Sequence, residues 1–139
     1  MTWTYADALA RAGVTVPPHL IAQAEVPVLA GPQAQGDLLV VPEHVPDEVS
    51  LEEVADEGIA VVTGETGNTH WLHRGPWSPG VRWGLPAAWT PAGNVLGWVA
   101  VPPGETAYLV HTDEHGANAI GPGTYAVRRK RETTGWVED

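Results

Sequence analysis

Three histidines and one acidic residue, placed in two loops, form the pattern with most chemical potential in this chain of 139 residues. His111 and His115 stand close together with the alternative carboxylates Glu114 and Asp113 between them, and His70 directly follows an earlier loop. Imidazole nitrogens and carboxylate oxygens bind Zn, Fe, Ni or Mn, and such sets can leave a coordination position open for chemistry. The pattern is compatible with a metal site, while ordinary hydrogen bonding of the same side chains is the favoured interpretation.

The metal hypothesis makes a spatial demand on the fold. His70 opens the predicted strand His70-Trp71-Leu72-His73, and His111 closes another, Ala107 to His111. Nitrogen-to-metal bonds are ~2 Å long, so the rings at positions 70, 111 and 115 must lie within ~10 Å of one another. Alternation along the first strand places His70 and Leu72 on one face, with Trp71 and His73 on the other.

Proline and glycine divide the chain into short elements. The 13 Pro and 16 Gly exclude long helices from most of the sequence, and the apolar residues are dominated by Val, Ala, Leu and Trp. Seven or eight short strands follow from the bracketed apolar runs. This pattern predicts an all-β fold, a small barrel or a jelly-roll-like, cupin-like sandwich with one short N-terminal helix.

Local signals divide the chain further. Residues 1–24 are predicted to form a helical arm that begins at the capping box Thr4 to Asp7. Residues 25–131 form the β-domain, in which an acidic excursion spans 43–57, and 132–139 form a tail. Ser50 to Glu53 is a second capping box with room for about two helical turns, although a solvated connection is the favoured interpretation.

Two further residue groups could form a binding surface. Three Trp in a loop-rich stretch favour core packing over an exposed stacking surface: Trp77, Trp83 and Trp89. A consecutive basic run consists of Arg128, Arg129, Lys130 and Arg131. It is either solvated or pairs with the acidic residues of 43–57, in the same molecule or in a neighbouring copy.

Composition argues against several classes of function. The net charge of −10 argues against nucleic-acid binding, and the absence of Cys removes disulfides, thiolate zinc sites and cysteine nucleophiles. Neither Ser50 nor Ser78 lies in a nucleophile elbow. The start of the chain lacks the features of a secretory signal and no apolar run could span a bilayer, which predicts no membrane association and a cytoplasmic location.

The order of motifs resembles that of small uncharacterised bacterial and phage proteins whose loop reads Gly-His-x-His. The matching segments are Gly36-Asp37 to Pro42, Gly64 to His70, His111 to His115, and Pro122-Gly123-Thr124-Tyr125-Ala126-Val127-Arg128. Asn68 stands where that loop has its first histidine. The layout is similar, more distantly, to cupins, in which histidines line a barrel. The resemblance implies a compact β-domain with a histidine-lined pair of loops.

Two functions remain as hypotheses. The first is a small non-catalytic binding or assembly module, such as a phage or mobile-element accessory protein, that contacts a protein partner or its own copies. The second is a cupin-like metal-binding protein or metalloenzyme that uses His70, His111 and His115.

Overall fold

The computed structural model describes residues 3–11, 13, 24–63, 69–75, 77–86, 94–111, 116–132 and 135–136. One helix and thirteen strands occur in these ranges. Their bounds are α1 Tyr5–Arg11, β1 Val28–Leu29, β2 Gln33–Gln35, β3 Leu38–Pro42, β4 Glu52–Glu53, β5 Ile59–Thr63, β6 Thr69–His73, β7 Arg82–Gly84, β8 Val95–Val101, β9 Ala107–His111, β10 Ala117–Ile120, β11 Gly123–Arg129, β12 Arg131–Glu132 and β13 Gly135–Trp136.

Eleven of these strands form two sheets. The five-stranded sheet has the order β1-β10-β9-β6-β5, and the six-stranded sheet has the order β2-β3-β11-β8-β7-β4. All pairs are antiparallel except β1 with β10. Neither sheet closes on itself, so the fold is an all-β sandwich, as the sequence predicted. The strands beyond those predicted include β2 and β4, of three and two residues, at the two margins of the six-stranded sheet.

The main core lies between the two sheets. Alternate residues of β6, β9 and β11 point inward, so that Leu72, Leu109, Tyr125 and Val127 pack in one apolar cluster. The predicted alternation in β6 is confirmed, since Leu72 joins this core and His73 lies with Trp3 on the opposite face. Two-residue periodicity therefore sets which histidine points inward.

Helix α1 of the predicted N-terminal arm packs on the outer face of the five-stranded sheet, and residues 12 and 14–23 of the arm lie outside the described residues. Leu9 of α1 is fully buried and shares a second cluster with Tyr108 and Val110 of β9. The capping box at the start of α1 is present, because Asp7 N donates to Thr4 Oγ1 at 3.2 Å and Thr4 N donates to Asp7 Oδ2 at 3.3 Å. The arm covers one apolar face while the core occupies the other.

Within the acidic excursion, the structure has a short strand where one of the two interpretations predicted a helix. Ser50 to Glu53 form no helix, because Glu52 and Glu53 pair with Trp83 and Arg82 as strand β4. Cross-strand hydrogen bonding supplied by the rest of the fold overrides the local capping signal. Most of the predicted C-terminal tail lies outside the described residues, although the backbone of Trp136 pairs with Arg131 in a short hairpin.

Candidate functional site

His70 and His111 are cross-strand neighbours on the inner face of the five-stranded sheet. They face each other in the β6–β9 register, with ring centroids 4.2 Å apart. Both are buried, with exposed fractions of 1% and 0%. The predicted approach of these two rings is confirmed. Glu114 and His115, the other predicted ligands, lie outside the described residues, as does Asn68.

Both ring nitrogens of His70 face oxygen atoms from the six-stranded sheet. Nδ1 lies 2.9 Å from Gln35 Oε1, and Nε2 lies 3.0 Å from Asp37 Oδ1. The orientation of the Gln35 amide is fixed, because its nitrogen donates to Leu109 O at 2.7 Å. Two oxygen acceptors are satisfied when both ring nitrogens carry hydrogen, and a doubly protonated imidazole is a cation that pairs with the Asp37 carboxylate.

Asp37 is the acidic centre of this network. It is 2% exposed and lies in the tight turn between β2 and β3, where Gly36 adopts a φ of 57°. Its second carboxylate oxygen lies 3.9 Å from Nε of Arg129, a residue of the predicted basic surface. Asp37 therefore links β6 of one sheet to β11 of the other and holds the sandwich together at this point.

Side-chain amides extend the network to the margin of the sandwich. Asn118 Nδ2 donates to Gln33 Oε1 at 3.1 Å, and Gln35 Nε2 donates to Asn118 Oδ1 at 2.9 Å. Gln33 Nε2 in turn donates to Leu29 O and Ala119 O at 3.1 and 3.0 Å. Sequence reasoning missed these amides, and the only signal was the polar alternation Gln33-Ala34-Gln35 before an apolar strand.

Metal binding at this point would rearrange the network. A metal needs a nitrogen lone pair, so ligation through His70 would require loss of its bond to Gln35 or to Asp37. Within the described ranges, no group of three or more His, Asp or Glu side chains has an arrangement that could hold a metal ion. The described geometry supports a rigid polar link between the sheets.

His73 forms a second buried histidine site on the outer face. It is 2% exposed, and neither ring nitrogen has a hydrogen-bond partner among the described residues. Its ring lies 6.4 Å from that of Trp3, so it is packed beneath the N-terminal arm. Burial, assisted by the positive charge of Arg11 and opposed by Asp56, lowers the pKa of His73 from 6.5 to about 4.

A groove opens on the opposite side of the sandwich from the amide network. It lies where the outermost strands of the two sheets, β5 and β4, diverge, and its volume is about 580 Å³. Its walls combine apolar and acidic side chains: Glu48, Ser50, Glu52, Ile59, Ala60, Val61, Trp83, Gly84 and Leu85. Leu85 is 68% exposed, which makes one wall of the groove an accessible apolar surface.

The floor and one wall of the groove are shaped by a close packing contact and by a β-bulge. Trp83 is 7% exposed and lies against Gly97, where an added Cβ would overlap the indole ring. Only glycine leaves room for the ring in this position. On the opposite wall, the β5–β6 register shifts between Ala60 and Val62, so Val61 is an extra residue in the strand. Such bulges interrupt the regular ladder of an edge strand.

A family model described as a domain of unknown function, DUF8820, matches residues 34–130. The chain belongs to this family. No curated protein and no solved structure matches the chain. The DUF8820 region contains His70, His111, Asp37 and the whole groove, and it leaves the N-terminal arm outside.

The other predicted binding residues do not form one continuous surface among the described residues of the DUF8820 fold. Trp83 belongs to the core and the groove floor, Trp77 is 43% exposed, and Trp89 lies outside the described residues. Arg128 pairs with Glu43 through two hydrogen bonds of 2.8 Å each. The basic run therefore does pair, in part, with the acidic segment of the same molecule.

The last two residues of the basic run contribute less to the described geometry. Lys130 donates its backbone N–H to Asp37 O at 2.7 Å, and Arg131 is described in its backbone only. The one described helix, α1, lacks the length and apolar character needed to cross a bilayer.

Proposed function

We propose that this chain is a non-catalytic binding module whose ligand site is the groove between the diverging edges of the two sheets. The proposal depends on one observation, the coincidence of a volume of about 580 Å³ with an apolar floor and exposed acidic walls. Specific ligand sites are concave, mainly apolar and supplied with a few polar groups. The groove combines these properties.

The burial of the histidine network favours binding over catalysis at His70 and His111. A catalytic group must reach the reacting atoms to within hydrogen-bond distance. The rings of both histidines are almost fully enclosed, and the nitrogens of His70 are already engaged by Gln35 and Asp37. We therefore assign this network to stability and the groove to recognition.

The partner that fits this proposal is another protein or a second copy of the chain. The proposed biological context is the cytoplasm, where the chain acts as an accessory protein of a phage or mobile element. A groove of this volume accommodates a few side chains, as in recognition of a short segment. The exposed Leu85 side chain supplies apolar contact area.

Site-specific photo-crosslinking tests the proposal. Benzoylphenylalanine would replace Ala60, an exposed residue inside the groove, and separately Ala34, an exposed strand residue outside it. We expect position 60 to crosslink a discrete partner in the native host and position 34 to give background only. Equal labelling from both positions, or none from either, contradicts the proposal.

A cupin-like metal-binding protein remains the second candidate function. The observation that favours it is the 4.2 Å separation of the His70 and His111 rings, which is compatible with ligation of a single ion. Metal analysis of the purified protein tests it. About one transition-metal ion per chain, lost in His111→Ala, would support this candidate.

A further inference from the structure

The charge of the groove indicates which chemistry its partner must supply. Seven acidic residues and no Lys or Arg occupy residues 43–57, the segment that provides one wall. Glu43 is neutralised by Arg128, and Asp56 lies 3.5 Å from Arg74. Glu48 and Glu52, which line the groove, are exposed and form no ion pair with a described basic side chain.

The acidic wall lies beside an aromatic ring. Glu52 is the direct cross-strand partner of Trp83, and side chains so paired have Cβ atoms about 5 Å apart. A carboxylate beside an indole ring favours a cation, since the carboxylate supplies charge and the ring face supplies cation–π attraction. Lys and Arg also have aliphatic stems that pack on apolar walls such as Ile59 and Val61.

We infer that the occupant of the groove is an extended segment of a partner protein that places a Lys or Arg side chain between Glu48 and Glu52. The inference rests on the proposed function and adds the chemical class of the partner. Apolar residues flanking the cation contact Trp83 and Leu85, both of which line the groove. The net charge of −10 attracts such a segment at longer range.

Side-chain contacts, rather than addition of a regular strand, should dominate recognition. Strand addition uses the backbone groups of an uninterrupted edge. The bulge at Val61 breaks that repeat within β5, and β4 is only two residues long. Changing the central side chain of a bound peptide should therefore alter affinity strongly.

Nuclear magnetic resonance titration with synthetic peptides tests the inference. Four peptides of about nine residues, with alternating valine and threonine, would carry a central Lys, Arg, Gln or Glu. We expect the Lys and Arg peptides to shift the resonances of Ser50, Ala60 and the Trp83 indole, with Kd values at least about tenfold below that of the Gln peptide. Raising the salt concentration should weaken only the cationic peptides.

Variants of the protein identify the carboxylates responsible. The double variant Glu48→Gln/Glu52→Gln should lose about tenfold in affinity for the Lys peptide and little for the Gln peptide. Glu57→Gln, an exposed acid of the same segment that does not line the groove, is the matched control and should bind as the wild type does.

The outcomes separate this inference from the proposed function. Equal affinity for Lys, Gln and Glu peptides at the groove would overturn the cationic specificity and leave groove binding intact. Failure of every peptide to shift groove resonances would overturn the inference, and crosslinking from position 60 would then decide the proposed function independently. Sedimentation measures self-association of the chain. Salt-sensitive self-association that the double variant loses would overturn the inferred partner protein and identify a second copy of the chain as the occupant of the groove.

Discussion

His70 and His111 lie side by side on adjacent strands with their ring centroids 4.2 Å apart, although they are 41 positions apart in the chain. The contact is enclosed between the two sheets, and the Asp37 carboxylate reaches His70 from the opposite sheet at 3.0 Å. Because the contact between Asp37 and His70 is buried, loss of either side chain would leave the other as a buried polar group without that hydrogen bond.

The Asp37 carboxylate is expected to be a large contributor to stability. Asp37→Leu removes the hydrogen-bond partner of His70 Nε2 and a carboxylate oxygen that lies 3.9 Å from Arg129 Nε. The free energy of unfolding should fall by about 3–5 kcal/mol. Chemical denaturation measures this change, and Asp47→Leu on the exposed surface should stay within about 0.5 kcal/mol of the wild type. Equal effects of the two substitutions would show that the network is not a clamp.

We expect the packing of Trp83 against Gly97 to leave no room for a side chain at position 97. Gly97→Ala places a Cβ in the indole ring and should lower the free energy of unfolding by about 1–3 kcal/mol. Gly31→Ala is the matched control, because a Cβ there meets nothing within 4 Å. Trp83 also forms the groove floor, so Gly97→Ala should weaken partner binding. A Gly97→Ala protein as stable as Gly31→Ala would contradict this packing.

His73 is expected to make folding sensitive to acid. Its pKa is lowered to about 4 in the folded state from 6.5, so the unfolded chain binds the extra proton first as the pH falls. Its contribution to stability is fully present above pH ~6.5 and is lost towards pH ~4, by on the order of 3 kcal/mol.

The variant His73→Leu tests this dependence. The free energy of unfolding, measured by denaturation at several pH values, should fall less steeply between pH ~6.5 and ~4 than that of the wild type. Identical slopes for the two proteins would contradict the role assigned to His73.

Metal analysis separates the two candidate functions. Because both ring nitrogens of His70 are already engaged by Gln35 and Asp37, we expect no stoichiometric transition metal and no rise in Tm on addition of Zn or Ni. Elemental analysis and thermal denaturation measure these quantities. A Zn- or Ni-dependent rise in Tm that His111→Ala abolishes would contradict the expectation and favour the metal-binding alternative.

Local periodicity was sufficient to predict the strands of five or more residues and the placement of His70 and Leu72 on one face of β6. Alternation in β6 depends on the backbone alone, and the capping box of α1 depends on residues three positions apart. Both predictions are confirmed. They concern contacts that the sequence places within a few residues of each other.

Apart from the approach of His70 to His111, contacts between distant segments were beyond the same reasoning. Gln35 binds His70 across 35 positions, and nothing local distinguishes it from an exposed strand glutamine. The capping signal at Ser50 was misleading because β7, thirty positions onward, supplies strand hydrogen bonds to Glu52 and Glu53. The groove depends on which strands become sheet edges, a property of the complete topology.

Blocking the groove tests the central claim most directly. Ala60→Trp inserts a large side chain into the groove at an exposed position, and Ala34→Trp makes the same change at an exposed strand position elsewhere. The binding of the partner protein identified by crosslinking is then measured by calorimetric titration. We expect Ala60→Trp to raise the Kd at least tenfold, a loss of about 1.4 kcal/mol of binding free energy, and Ala34→Trp to change it by less than about twofold. Wild-type affinity in a folded Ala60→Trp protein would contradict the account.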